Sequence, residues 1–120
     1  MRTDRLRLRL AVDSSARKAI VAAARPTIWH GEPRIDQYIF TGLLGDSVHD
    51  NEPVRDLDLL IRTGGEQRLS DFLLWEAGYA ELLFSNCKWP DVGQQELADA
   101  VDEFRGRNRR FGRVVGQSAM

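Results

Sequence analysis

The segment IRTGGEQRLS (61–70) gathers Arg62, Gly64, Gly65, Glu66, Arg68 and Ser70 directly after an apolar run. Arginine meets a phosphate with two parallel N–H donors, which a lysine ammonium cannot do. Paired glycines accept backbone conformations that expose consecutive N–H groups, a small nest for an anion. Ser70 adds a hydroxyl, and a helix starting there would add partial positive charge. Such a set suits a compact dianion or a diphosphate. Glu66, with Glu81 beyond it, would then bind a hard cation such as Mg²⁺ or position a substrate. The same residues also suit a capped turn with surface ion pairs, and spacing alone leaves both readings open.

The elements that must hold this turn are legible in outline. DLDLLI (56–61) is a short apolar strand stopped by Gly64 and Gly65. SDFLLWEAGYA (70–80) has Ser70 as an N-cap and a broad apolar face through Phe72, Leu73, Trp75, Ala77 and Tyr79, so a helix is predicted. ELLFS (81–85) suits a buried strand, and QQELADAVDEFRGRNRR (94–110) an amphipathic helix through Leu97, Ala98, Val101 and Phe104. Upstream, RLRLRLAV (5–12) alternates as a strand does, and DSSARKAIVAAAR (13–25) reads as a helix capped by Asp13 or Ser14, its apolar face including Ile20, Val21 and Ala24. A loop follows at Pro26, Gly31 and Pro33, then a short helix at 35–44 with Asp36 near its start, then a loop, GDSVHDNEP. The order β-α-α-β-α-β-α points to an α/β fold with a largely parallel sheet, whose ligands bind beyond the carboxyl ends of the strands. The turn after Ile61 lies at such an end. A central parallel strand is apolar on both faces, yet Arg5, Arg7 and Arg9 stripe the first one. Either it is an edge strand with one wet face, or its neighbours come from another chain or are lost.

Composition sets the frame. The chain has 120 residues, 42% hydrophobic and 29% charged, which suits one soluble domain. No apolar run is long enough to span a membrane, and MRTDRLRLRL does not read as a secretory signal. A single cysteine, Cys87, excludes an internal disulfide and fits a reducing cytoplasm. His30 and His49 lack zinc-site spacing and read as surface residues, and Trp89 as a packing residue. The net charge of −1 hides an acidic middle and a basic end. Basic charge confined to a short tail argues against a nucleic-acid partner.

A family resemblance then becomes specific. The block DLDLLIRTGGEQRLSDFLLWEAGYAELLFSNCKWPD resembles the most recognisable block of the cis-prenyltransferases, the undecaprenyl diphosphate synthase family. LRLRLAVDSSARKAIVAAA resembles that family's L-A-x-N-Y-G-G-R-x-E-I element, and FRGRNRRFG its closing Arg-x-Gly. The likeness covers most of this chain but corresponds to the C-terminal half of a full-length member. It implies part of the family's parallel sheet with flanking helices: a truncated domain over 1–112 and a flexible basic tail over 113–120. It also implies that Arg62, Gly64, Gly65, Arg68 and Ser70 hold the diphosphate of isopentenyl diphosphate, and that Glu81 takes part in Mg²⁺ binding. Arg110 and Gly112 match the terminal element, which in family dimers reaches the neighbouring site. Glu66 and Arg17 are supporting candidates, Arg17 being what remains of N-Y-G-G-R.

The departures shape the function the resemblance implies. The family's N-terminal Asp-Gly-Asn-Gly-Arg-Trp block, which binds the allylic diphosphate and its Mg²⁺, is absent, and Asp13-Ser14-Ser15-Ala16 replaces the asparagine and glycines of the later element. The expectation is the small subunit of a heteromeric cis-prenyltransferase, inactive alone, with a larger catalytic chain supplying the allylic site and the tunnel. The polyprenyl product would bring peripheral association with membranes. A non-catalytic stabilising subunit and a degenerate fragment are the alternatives.

Overall fold

The computed structural model describes residues 6–30, 34–48, 52 and 55–114. Their order is α1 (Ala16–His30), α2 (Gln37–Val48), β1 (Leu59–Arg62), β2 (Glu81–Phe84), a single 3₁₀ turn (Trp89–Asp91) and α3 (Gln94–Gly106). β1 and β2 pair in parallel with Leu59 opposite Glu81 and Arg62 opposite Phe84. The expected α/β class with a partial parallel sheet is what forms, although the sheet has two strands among the described residues.

The first expected strand does not form. Residues 6–12 run without a strand partner, and Leu6, Leu8, Leu10 and Val12 are each at least 78% exposed. Arg7 and Arg9 both reach Glu52. The Arg–Leu alternation encodes a two-faced strand, but pairing needs a neighbour and the described chain provides none.

α1 begins one residue later than expected. Ser15 is its cap, the hydroxyl accepting from Lys18 N at 3.2 Å and the carbonyl from Ala19 N at 3.0 Å. The helix continues through Pro26, where a loop was expected. Proline removes a donor there, and the Thr27 hydroxyl adds one in the same turn by donating to Ala24 O at 2.5 Å. The inward face carries Ala23, fully buried, while Val21 is exposed. Asp36 caps α2 through Ile39 N at 2.8 Å, and the helix runs on to Val48, into residues expected to be loop. Gly31, Pro33, His49 and the side chain of His30 lie outside the described residues, as does most of the expected tail.

The connection from β1 to β2 differs most from expectation. The predicted helix over 70–80 is instead a succession of turns. Ser70 and Leu73 both take left-handed backbone conformations, φ 57° and 45°, which no right-handed helix tolerates. One helix-like bond survives, Ala77 N to Leu73 O at 2.9 Å. Phe40 and Trp75 pack at 4.7 Å between ring centres, and the Trp75 indole donates to Thr41, joining this segment to α2.

α3 starts at Gly93, whose N–H donates to Glu96 Oε2 at 2.8 Å, and stops four residues before the expected Arg110 because Arg107 turns extended. Ala100 is its buried residue, with Val101 and Phe104 half-buried; Leu97 and Ala98 face solvent, against expectation. Trp89, expected to pack, is 76% exposed. The buried apolar side chains among the described residues are Ala23, Leu44, Leu60, Ala77 and Ala100, mostly methyl groups. So small a core contributes little by burial, and large apolar side chains remain outside it. Among the described residues no helix is long and apolar enough to cross a membrane.

Candidate functional site

At the carboxyl end of β1 the chain reverses sharply. Gly64 and Gly65 both have positive φ, 94° and 85°, conformations that would strain any side-chain-bearing residue. Their N–H groups are not free, however. Gly64 N donates to Cys87 O and Gly65 N to Ser85 O, each at 2.9 Å. The expected anion nest is therefore closed, and the two glycines instead bolt the turn to the chain leaving β2.

The side chains of the turn do converge. Arg62, half-buried at the end of β1, donates through Nη1 to Ser70 Oγ at 2.8 Å and to the Arg68 carbonyl. Its Nη2 and Nε have no acceptor among the described residues. Two N–H donors thus remain for a ligand oxygen pair. Arg68 leans on Glu66 at 3.0 Å, both largely exposed, a pair that water screens and an incoming anion could displace. The helix dipole expected at Ser70 is missing because no helix starts there. Its hydroxyl instead accepts from Arg62, which leaves its own proton to donate.

Glu81 and the terminal element lie elsewhere. Glu81 opens β2, opposite Leu59, so it sits about 10 Å along the strands from Arg62. Its carboxylate meets Arg107 Nη1 at 3.3 Å, and Arg107 also donates to Leu82 O at 2.7 Å and to Glu103 at 2.5 Å. The Glu103 and Glu81 carboxylates hold the Arg107 guanidinium pKa up. Arg109 reaches Asp58, just before β1, at 2.6 Å, and stacks over Phe111 and Phe104 with its guanidinium carbon 4.5 and 5.6 Å from the ring centres. Gly112, φ 79°, lies against Tyr79. Arg110 between them is exposed. The expected site residues thus fall into two groups at opposite ends of the sheet: Arg62, Gly64, Gly65, Glu66, Arg68 and Ser70 at one, Glu81, Arg110 and Gly112 at the other.

Among the described residues no three acidic, histidine or cysteine groups converge on a point where a metal could sit. A magnesium ion takes six oxygen ligands with several carried by water or phosphate. Among the described residues Glu81 is paired with Arg107 at 3.3 Å.

Three contributors were not read from the sequence. Asp71, next to Ser70, accepts from Arg17 N at 2.8 Å and from the Ser15 hydroxyl, and its carbonyl accepts from Ala16 N at 2.9 Å. It thereby ties the start of α1, with Arg17, to the turn. The Ser15 bond, then the Arg17 amide, hold its carboxyl below the ordinary range. An aspartate fixing a helix it does not belong to leaves no local signal. Arg107 and Arg109, in the basic end of the chain, are both fixed by partners more than twenty residues away. Desolvation, then the Glu96 and Asp91 carboxylates, push the Cys87 thiol pKa up, which disfavours the thiolate.

Comparison with known proteins adds the following. Residues 1–112 match the family described as "Putative undecaprenyl diphosphate synthase". Isoprenyl transferase 1 of Bradyrhizobium diazoefficiens is 48% identical over 107 residues, which is 89% of this chain and 41% of that protein. The ditrans,polycis-undecaprenyl-diphosphate synthase ((2E,6E)-farnesyl-diphosphate specific) of Francisella tularensis is 47% identical over 114 residues, 90% of this chain and 42% of its own length. Among solved structures, lavandulyl diphosphate synthase from Lavandula x intermedia, in complex with dimethylallyl diphosphate, superposes with a TM-score of 0.72 at 38% identity, covering 87% of this chain and 45% of that one. The chain spans less than half the length of these relatives.

Proposed function

The chain belongs to the undecaprenyl diphosphate synthase family of prenyltransferases, and we propose that it acts as the small subunit of a heteromeric cis-prenyltransferase. In this reading the turn after β1 holds the diphosphate of the isopentenyl substrate. Arg62 offers Nη2 and Nε to two phosphate oxygens, Ser70 donates its hydroxyl proton, and Arg68 swings from Glu66 to the ligand. The observation that carries the reading is the Arg62–Ser70 bond of 2.8 Å, which brings together residues eight apart into one donor set. Ionising an allylic diphosphate builds negative charge on the leaving group, so fixed cationic donors at a substrate diphosphate are what the reaction requires.

The rest of the pocket belongs to a second, larger chain. Leu6, Leu8, Leu10 and Val12 present an uncovered apolar edge, and the sheet is two strands wide among the described residues, so both ask for a partner. Arg110 and Gly112 lie at the far end of the sheet from Arg62, which supports a role toward the neighbouring subunit rather than toward this chain's own turn. The allylic diphosphate, the elongation tunnel and any Mg²⁺ site are assigned to that partner.

A specific observation favours a second reading, a non-catalytic stabilising subunit: the Gly64 and Gly65 amides are engaged by Cys87 and Ser85 and do not reach a ligand. Isopentenyl incorporation decides between the two. The chain is co-expressed with a full-length cis-prenyltransferase-like partner, and Arg62→Ala and Arg110→Ala are compared with wild type in the assembled complex. The catalytic reading expects each to lose at least tenfold in rate. Unchanged incorporation with both variants would leave the stabilising role.

A further inference from the structure

Ser70 is held in a strained conformation by its neighbours on both sides. Its φ of 57° is one that a residue with a side chain adopts only where the surroundings enforce it. On one side Arg62 bonds its hydroxyl at 2.8 Å. On the other, Asp71 is fixed through three bonds to the start of α1, from Arg17 N at 2.8 Å, from Ala16 N at 2.9 Å and from the Ser15 hydroxyl. Those bonds span more than fifty positions in sequence, so they join two separately folded segments rather than rigidifying one. They also satisfy the first N–H groups of α1, Lys18 N being met by Ser15 Oγ, which closes that helix end to any anion.

We propose that Asp71 is a positioning residue for the diphosphate turn: by clamping the α1 N-terminus to the residue after Ser70, it keeps Ser70 in its left-handed conformation and its hydroxyl beside Arg62. Asp71 itself does not touch the ligand. This deepens the substrate-binding reading above and rests on it. Charge and geometry make opposite demands at this position. An anionic ligand is repelled by the carboxylate, while the turn requires its bonds. Asparagine can keep the bonds, accepting from Arg17 N through Oδ1 and donating to Ser15 Oγ through Nδ2, with no charge. Alanine keeps neither the charge nor the two side-chain bonds, and retains only the bond from Ala16 N to the backbone carbonyl. The proposal therefore predicts an order of affinities that a merely stabilising contact would not produce.

The test is calorimetric titration of the full chain with inorganic pyrophosphate, at a temperature where circular dichroism shows each variant folded. Asp71→Ala is expected to bind about tenfold more weakly than wild type, and Asp71→Asn as tightly or more tightly. Ser15→Ala, which removes the hydroxyl's bond to Asp71 and its cap on Lys18 N but leaves the turn untouched, is expected to lose about threefold. It keeps the test open if Asp71→Ala fails to fold. Binding by Asp71→Ala within twofold of wild type would overturn the clamp, and so would equal losses in Asp71→Ala and Asp71→Asn. Arg62→Ala separates the two levels. If it binds pyrophosphate as wild type does, the turn is not the diphosphate site and the clamp loses its purpose. If it loses binding while Asp71→Ala does not, the clamp alone fails.

Discussion

Arg109 offers a sharp test of how the terminal element is held. Its guanidinium joins three segments: Asp58 ahead of β1 at 2.6 Å, Phe104 in α3, and Phe111 within the Arg-x-Gly element at 4.5 Å. The side chain is 21% exposed, whereas Asp58 is 75% exposed. The ion pair with so exposed a partner contributes about 0.5 kcal/mol. The two ring contacts add about 0.5–1 kcal/mol each. Against them, the buried Nε has no acceptor, and removing it returns part of the loss. Arg109→Ala should therefore cost about 1.5 kcal/mol, which for a domain of this size lowers the melting temperature by roughly 6 °C. Thermal unfolding followed by circular dichroism measures it. Arg110→Ala is the control: an exposed side chain should shift the melt by no more than about 2 °C. A melt for Arg109→Ala indistinguishable from wild type, or an Arg110→Ala loss as large, would refute the assignment of Arg109 as the anchor and Arg110 as the free functional arginine.

Two further outcomes follow from the same geometry. Asp71 and Glu96 both have carboxyl pKa values below their ordinary ones, Asp71 through the Ser15 and Arg17 bonds and Glu96 through backbone amides, including Gly93's. A depressed folded-state value means stability that is present above the unfolded pKa and lost as pH falls through the folded one. Denaturation midpoints should thus decline below about pH 4, and Asp71→Asn together with Glu96→Gln should flatten that decline; an unchanged acid limb would contradict it. Leu8→Arg should leave the melting temperature of the isolated chain unaltered, since Leu8 is 78% exposed, yet weaken co-purification with the proposed larger subunit at least tenfold. Equal recovery of the complex would place the interface elsewhere.

What the sequence made legible was local. The crowding of Arg62, Arg68 and Ser70 was readable because the bond that unites Arg62 and Ser70 spans one turn. β1, β2, α3 and the Asp36 cap followed from short apolar runs and capping chemistry. The errors concern partners remote in sequence. The amides of Gly64 and Gly65 looked available because Cys87 and Ser85, their acceptors, lie beyond the next strand. The helix expected at 70–80 had the right residue types, but left-handed conformations at Ser70 and Leu73 break it, and nothing in those residue types signals φ. The alternation of Arg and Leu suited a strand, but residues 6–12 form none, because alternation says nothing about whether a neighbour exists to pair with.

The central claim is that the turn after β1 grips a diphosphate in a pocket completed by another chain. Hydrogen exchange of the assembled complex, with and without isopentenyl diphosphate, tests it most directly. Gly64 and Gly65 are already hydrogen-bonded and should change little. The amides from Glu66 to Ser70 should slow at least tenfold when the ligand binds, and should not slow with Arg62→Ala. Turnover by a complex in which those amides exchange equally fast with and without the ligand would contradict the account.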